Sequence, residues 1–397
     1  MKYSPARDRG VLLLSELFPP AIGGSAVLFG EIYSRLGNIP VRVVSDGVEM
    51  VRYGLGVTSP RSLLRYLRLA VRLRASGRAV AMIHCGRALP EGVAAWMSKC
   101  FGGPHYACWA HGEDVSMALT SRELTLLMRK VYGGADVVFA NSVNTRRMLR
   151  ELGIADDRIH IVYPGVDTQR FRPDVDAAAL RQRLAPRGET VLLSVGRHQA
   201  RKGHDLMIQA VRQLTQEQHR LLRYVIVGNG EERSRLEALV DQCGVREQVT
   251  FAGEVPAGML PQYFAACDIF VLPNRIEQGD VEGFGIVFLE AAASGKPAVG
   301  GRTGGVPEAV ADGVTGLLVS GTDVAELSAA IARLLDSEPL RRSLGEAGRA
   351  RVVREFTWES AADKVASLHR QFVNCNFIPS RQAAVVGAVQ AHERKLP

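Results

Sequence analysis

Short apolar runs recur along the whole chain, and few of them alternate polar with apolar residues. The first half carries "VLLL" (11–14), "VRVVS" (41–45), "AMIHC" (81–85), "HYACWA" (105–110), "ADVVFANS" (135–142) and "IHIVYP" (159–164). The second half carries "TVLLSVG" (190–196), "YVIVG" (224–228), "VTFAG" (249–253), "DIFVLP" (268–273), "PAVGG" (297–301) and "GLLV" (316–319). A strand covered on both faces must be apolar on both, which is what a parallel sheet between helix layers demands. Amphipathic stretches between the runs, such as "HDLMIQAVRQL" and "ERSRLEALVDQC", supply those helices and make right-handed βαβ units the default. A chain of 397 residues exceeds the roughly 250–300 residues that one core holds. The expected fold is therefore α/β, with two tandem Rossmann-like domains facing across a cleft. They are residues 1–168 and 169–376, followed by a loosely ordered tail over 377–397. The border falls in "PGVDTQRFRP" (164–173), which has turn residues and no periodicity.

Several classes are excluded early. No apolar run approaches the ~18–20 residues that span a bilayer. The N-terminal "VLLL" is cut short by Glu16 and reads as a first strand rather than a signal peptide. Six cysteines show no C-x-x-C pair, and three of them lie in apolar contexts, which suits a reduced, cytoplasmic setting without zinc. No cofactor is expected. The net charge of +8 is uneven: residues 1–168 hold 21 Lys/Arg against 14 Asp/Glu, so the first half should meet something anionic.

The residues that could carry chemistry follow the apolar runs. In "FPPAIGGSAVLFGEI" (18–32), Gly23 and Gly24 sit between a strand and a helix, where backbone N–H groups can approach a phosphate. A plain strand-to-helix turn would look the same. In "SVGRHQARKGHDLMIQAV" (194–211), Arg197 and Lys202 could neutralise a diphosphate, or be ordinary surface cations. His111 in "WAHGEDV" stands at a strand's carboxyl end and could contact a sugar hydroxyl or move a proton; a structural histidine is the alternative. "GDVEGFGIVFLEAAASG" (279–295) places Glu282 in a loop and Glu290 within a helix expected from about Ile286 to Ala293. That helix start could hold an anion, and Glu290 could accept from ribose hydroxyls. "VGNGEERSRLEAL" is half of a dinucleotide fingerprint and lacks the third glycine.

Taken together and in order, these pieces resemble a known family. "GGS" (23–25), "HG" (111–112), "YPGVDTQRF" (163–171), "VGRHQARKG" (195–203), "VIVGNGE" (225–231), "VTFAGEV" (249–255), "EGFGIVFLE" (282–290), "GGVPEAV" (304–310) and "EFTWE" (355–359) resemble family 4 of the retaining nucleotide-sugar glycosyltransferases, which have the GT-B fold. Within the family the chain looks most like bacterial enzymes of envelope glycolipid and polysaccharide synthesis, including the mannosyltransferases of phosphatidylinositol mannosides. The resemblance implies a nucleotide-diphosphate sugar donor, with mannose slightly favoured, and a lipid-linked or glycan acceptor. It implies that Gly23 and Gly24 border the diphosphate and that Arg197 and Lys202 pair with it. Glu282, with the backbone of Gly283, Phe284, Gly285, Ile286 and Val287, would hold the sugar and its phosphate. Glu290 would bind the ribose, Val255 would border the base, and His111 would contact the sugar near the reacting carbon. The "FTWE" helix would cross back to brace the first domain. Pro164 departs from the Asn of many relatives, in a linker far from the chemistry. No D-x-D pair is suited to a bridging Mg²⁺, so cations and helix dipoles must stabilise the leaving diphosphate.

One stretch adds a location. In "SPRSLLRYLRLAVRLRASGR" (59–78), Arg61, Arg65, Arg68 and Arg72 share one helical stripe at about 100° per residue, with Leu63, Leu67 and Ala70 to one side. Six arginines and no acid between Arg61 and Arg78 point to an anionic membrane surface, hence a cytoplasmic enzyme peripheral at the inner face of the membrane. The outer face of an ordinary sheet-covering helix is the alternative. Two other functions compete with transfer: a nucleotide-sugar 2-epimerase of the same fold, which needs no acceptor, and a non-enzymatic binding protein. A nucleic-acid partner is not expected, because the basic residues lack interleaved aromatics that would stack bases.

Overall fold

A computed structural model describes residues 10–21, 23–45, 60–76 and 80–377. All twelve apolar runs form strands, in two parallel sheets of six. The first is built from β1 (Val11–Leu14), β2 (Val41–Val44), β3 (Met82–Cys85), β4 (Tyr106–Ala110), β5 (Val137–Ala140) and β6 (Ile159–Ile161), in the order β2-β1-β3-β4-β5-β6. The second uses β7 (Thr190–Val195), β8 (Leu222–Val227), β9 (Val249–Gly253), β10 (Ile269–Leu272), β11 (Ala298–Gly301) and β12 (Gly316–Val319), in the order β12-β11-β10-β7-β8-β9. Both orders reverse beside their first strand, and such a reversal opens a crevice at the carboxyl ends of the strands.

Each sheet has apolar clusters on both faces, which explains the continuous apolar runs. One face of the first sheet is closed by the last described helix, Trp358–Phe377. Its Trp358, Ala362, Val365 and Ala366 pack with Val11, Phe29, Trp109 and Phe139. Arg35 Nε pairs with Glu359 Oε1 at 3.1 Å along the same seam. Burial of such side chains is worth about 1.5–3 kcal/mol for each large one, far more than the half-exposed ion pair. The chain thus passes from the first sheet to the second near Val166 and returns near Thr357, and these two residues form a parallel bridge.

Four cysteines are buried (Cys85, Cys108, Cys243 and Cys267), one more than the sequence contexts suggested. Apart from Phe377, the expected tail lies outside the described residues.

The arginine-rich stretch is a helix, Pro60–Ser76, but its packing seam differs from the expectation. Tyr66, Ala70 and Leu73 face inward. Leu63 and Leu67, grouped with Ala70 in the sequence reading, are exposed, as are Leu64 and Val71, the last at 64%. Spacing of three and four residues sets Tyr66, Ala70 and Leu73 on one side, so only that side reaches the core. Arg61, Arg65, Arg68 and Arg72 are all exposed beside the outward leucines. Among the described residues no helix is long and apolar enough to cross a membrane.

Candidate active site

The two crevices open onto each other. Gly283, in the loop after β10, lies against the carbonyl of His111, just past β4. A Cβ on Gly283 would stand 1.9 Å from that oxygen, so no other residue fits there without movement. Gly24, at the start of the helix Gly24–Tyr33, faces Ile286 from the start of the helix Ile286–Ala293, with 3.8 Å between its ideal Cβ and Ile286 Cδ1. Two helix N-termini therefore converge, each carrying about half a positive charge. Gly285 caps the second with φ of 91°, a left-handed conformation that glycine adopts without cost. The N–H groups from Gly283 to Val287 donate to no backbone or side-chain acceptor among the described residues. Five bare donors at one turn make an anion cradle.

Charged side chains complete it. Glu282 is buried, and one of its oxygens, Oε2, accepts from Lys202 Nζ at 2.5 Å, Arg201 Nη1 at 2.8 Å and Asn274 Nδ2 at 2.8 Å. Burial alone would push this carboxyl up, but Lys202 and Arg201 outweigh it and hold it at about 2. Arg201 also pairs with Asp280 at 2.9 Å and, across the cleft, with Glu113 at 3.7 Å. Glu113 in turn pairs with Arg87 at 3.3 Å. Arg197, by contrast, is exposed and makes no ion pair among the described residues. An incoming anion would meet it without displacing one of them.

His111 is buried, and its Nε2 lies 2.8 Å from the Gly86 carbonyl. A carbonyl only accepts, so the proton sits on Nε2 and the lone pair is left on Nδ1. Burial lowers the imidazole pKa, which keeps the ring neutral at pH 7. The ring stacks on Trp109 and meets the edge of Phe29, which fixes its plane.

Glu290 sits one turn into the helix Ile286–Ala293, and its Oε2 is buried without a partner. Burial raises its carboxyl to about 7, and Arg170 opposes this only partly. Val255 is half-buried against the core of the second sheet.

A further link crosses the cleft. Glu308 accepts from the N–H of Val143 at 2.7 Å and of Asn144 at 3.1 Å, capping the helix Val143–Glu151 of the first half from the second.

Of the residues expected at the site, the structure sets Glu282, Lys202, His111, Gly24 and the Gly283–Val287 turn around the cleft, with Arg197 exposed just past β7. Sequence reasoning missed Arg87, Glu113, Arg201, Asn274 and Glu308. All but Glu308 lie within the first few residues after a strand, where ligands of parallel sheets bind, and that position was the signal available. Arg61, Arg65, Arg68 and Arg72, expected to meet a membrane, lie on the helix Pro60–Ser76 and not among these residues. Among the described residues no three His, Cys, Asp or Glu side chains form a group fit for a metal ion.

Residues 32–170 match the family described as Glycosyltransferase Family 4, and residues 176–351 match Glycosyl transferases group 1. A GDP-mannose-dependent alpha-(1-6)-phosphatidylinositol monomannoside mannosyltransferase of Mycobacterium tuberculosis is 32% identical over 91% of this chain and 98% of its own length. A GDP-mannose-dependent monoacylated alpha-(1-6)-phosphatidylinositol monomannoside mannosyltransferase of Corynebacterium glutamicum is 34% identical, with the same coverage. Among solved structures, Anabaena HepE in complex with UDP and glucose superimposes with a TM-score of 0.75 at 19% identity, over 91% of this chain and 100% of that one. WaaG, a glycosyltransferase of lipopolysaccharide biosynthesis, gives 0.70 at 20% identity, over 90% and 99%. These two share the GT-B fold.

Proposed function

We propose, from the premise that this chain belongs to glycosyltransferase family 4, that it moves mannose from GDP-mannose to a lipid-linked acceptor with retention of configuration and without a metal. That it is a glycosyltransferase follows from the family; donor, acceptor and stereochemistry are our reading. The observation that carries it is the bare N–H turn Gly283–Val287 beside Arg201 and Lys202. In this reading the donor's diphosphate sits between that turn and the Gly23–Gly24 turn. Its developing charge meets two helix dipoles and fixed cations, already oriented before the reaction. Glu290 accepts from the ribose hydroxyls, Val255 borders the base, and Glu282 and the Phe284–Ile286 backbone hold the sugar.

Metal independence is supported by charge. Three acids beside the cradle, Glu113, Asp280 and Glu282, surround the Arg201 guanidinium, which already supplies the positive charge a divalent ion would bring. Retention fits the state of Glu282, the carboxylate this reading sets beside the sugar: it is tied to three donors and is not free to attack. The acceptor hydroxyl then attacks from the leaving group's side, and the departing phosphate takes its proton.

In the same reading residues 1–168 receive the acceptor and residues 169–376 hold the donor. The helix Pro60–Ser76 rests on the cytoplasmic face of an anionic membrane, its exposed leucines entering the interface and Arg61, Arg65, Arg68 and Arg72 meeting lipid phosphates. No nucleic acid takes part.

Titration calorimetry with GDP-mannose, UDP-glucose, UDP-N-acetylglucosamine and UDP-galactose tests the donor. GDP-mannose should bind at least tenfold more tightly than any UDP-sugar; preference for a UDP-sugar refutes this choice.

A further inference from the structure

The carboxyl ends of β1 and β3 hold a second group of polar side chains that the donor site does not use. Glu91 is fully buried in the turn of chain after β3, and its Oε1 accepts from the Glu16 N–H at 3.1 Å. Among the described residues its Oε2 has no partner. Glu16, after β1, is half-buried and also has an unpartnered, buried Oε2. Tyr66 enters from the helix Pro60–Ser76, 2% exposed, and its hydroxyl has no partner among the described residues either. Three elements thus bring three unsatisfied polar atoms towards one place, where native interiors normally leave none.

We propose that Glu91, Glu16 and the Tyr66 hydroxyl form the subsite that reads the acceptor, and that they select a ring carrying adjacent hydroxyls. This deepens the function proposed above and rests on it. Burial, and then the neighbouring Glu16, raise the Glu91 carboxyl to about 8, so it is a donor at neutral pH. Burial and Glu91 raise the Tyr66 phenol to about 12, so it too keeps its proton. A set that offers two O–H donors and a carboxylate acceptor matches hydroxyls, which both donate and accept. It does not match a phosphate, which would face the acids, while Arg87 is engaged by Glu113 and by Ser25 Oγ at 3.3 Å. The same Arg87–Glu113 pair leads to Arg201 and the donor site, so a ring held here lies beside the transferred sugar.

Position identifies what bears the ring. Tyr66 is on the buried seam of the helix whose other side presents Leu63, Leu64, Leu67, Val71 and the arginines. In the function proposed above that exposed side rests on the membrane, so an acceptor carried by a lipid brings its ring to the same element. A lipid headgroup meets that description.

Saturation-transfer NMR with free myo-inositol reads the subsite without turnover. Wild type should give a signal that Glu91→Met abolishes and Tyr66→Phe reduces; no signal from wild type, or an undiminished one from both folded variants, overturns the proposal. With GDP-mannose and vesicles containing phosphatidylinositol monomannoside, Glu91→Met should raise the acceptor KM at least tenfold and Tyr66→Phe several-fold. GDP affinity should stay within twofold, and melting should not fall. Acceptor KM within twofold in the folded variants, or GDP affinity falling in parallel, overturns the proposal. If wild type transfers no mannose yet gives the inositol signal, the proposed function fails and the subsite stands.

Discussion

Lys202 Nζ lies 2.5 Å from Glu282 Oε2, the same oxygen that Arg201 and Asn274 contact at 2.8 Å. One carboxylate oxygen thus balances two buried cations from the loop after β7. Removing it leaves Lys202 without an ion pair among the described residues, while Arg201 keeps Asp280 and Glu113; breaking such a buried pair costs about 3–5 kcal/mol. Glu282→Gln should therefore lower the melting temperature by several degrees at pH 7, besides abolishing transfer. The sign with pH is fixed. The folded carboxyl is held at about 2, below the ordinary 4.5, so its stabilisation is present above pH 4.5 and lost as pH falls towards 2. Melting curves from pH 7 to 3 should show wild type losing part of its advantage over Glu282→Gln in that window. Parallel curves would contradict the pairing.

Arg197 and Lys202 should separate stability from function. Arg197 is exposed and has no ion pair among the described residues, so Arg197→Ala should melt within about a degree of wild type. Lys202→Ala should melt lower. Each should slow transfer, because each removes a cation from the developing diphosphate charge, a contribution of about 2–4 kcal/mol in such sites. Near-normal turnover in the double variant would rule out the diphosphate position.

Glu290 should trade binding for stability. Its carboxyl titrates at about 7 in the folded chain, above the ordinary 4.5, so folding takes up a proton. Its favourable contribution is complete below pH 4.5 and is lost as pH rises through 7. Glu290→Gln should thus stabilise the free protein at pH 8, by on the order of 2–3 kcal/mol, and not at pH 4. Nucleotide binding should weaken at the same time. A variant that melts like wild type at pH 8, or binds GDP unchanged, would contradict the buried ribose contact.

Glu308 should control how firmly the two halves meet. Its carboxylate caps the helix Val143–Glu151 from the opposite side of the cleft, a contribution of about 1 kcal/mol for such caps. Glu308→Ala should accelerate hydrogen exchange at the Val143 and Asn144 amides about fivefold while the β4 and β5 amides stay protected. Unchanged exchange at those two positions would mean the cap does not hold in solution.

The Pro60–Ser76 helix should bind membranes through charge and leucine together. The protein should sediment with vesicles containing anionic lipid and not with neutral ones, and salt should release it. Binding should drop when Arg65, Arg68 and Arg72 become Gln. Equal recovery in the supernatant for both vesicle types would leave the helix an ordinary solvated face.

The fold was legible because parallel strands need apolar residues on both faces, and runs such as "VLLL" and "GLLV" announce that without context. The helix Ile286–Ala293 was legible from the glycines before it. The ion network was not. Arg201 stands beside Lys202 in sequence, but its partners Glu113 and Asp280 come from segments about 80 residues away on either side. Only packing of one half on the other brings them together. Nor could periodicity tell which side of the Pro60–Ser76 helix faces inward: its leucines and arginines give one moment direction, and Tyr66 decides the seam by burying its ring.

The central claim is mannose transfer to a membrane lipid without a metal. Incubate the protein with labelled GDP-mannose and vesicles containing phosphatidylinositol monomannoside, in excess EDTA, and determine the anomeric configuration of the lipid product. The account predicts labelled lipid with an α-linked mannose, at a rate that EDTA does not change. Transfer that stops in EDTA and returns with a divalent ion, or a β-linked product, would contradict it.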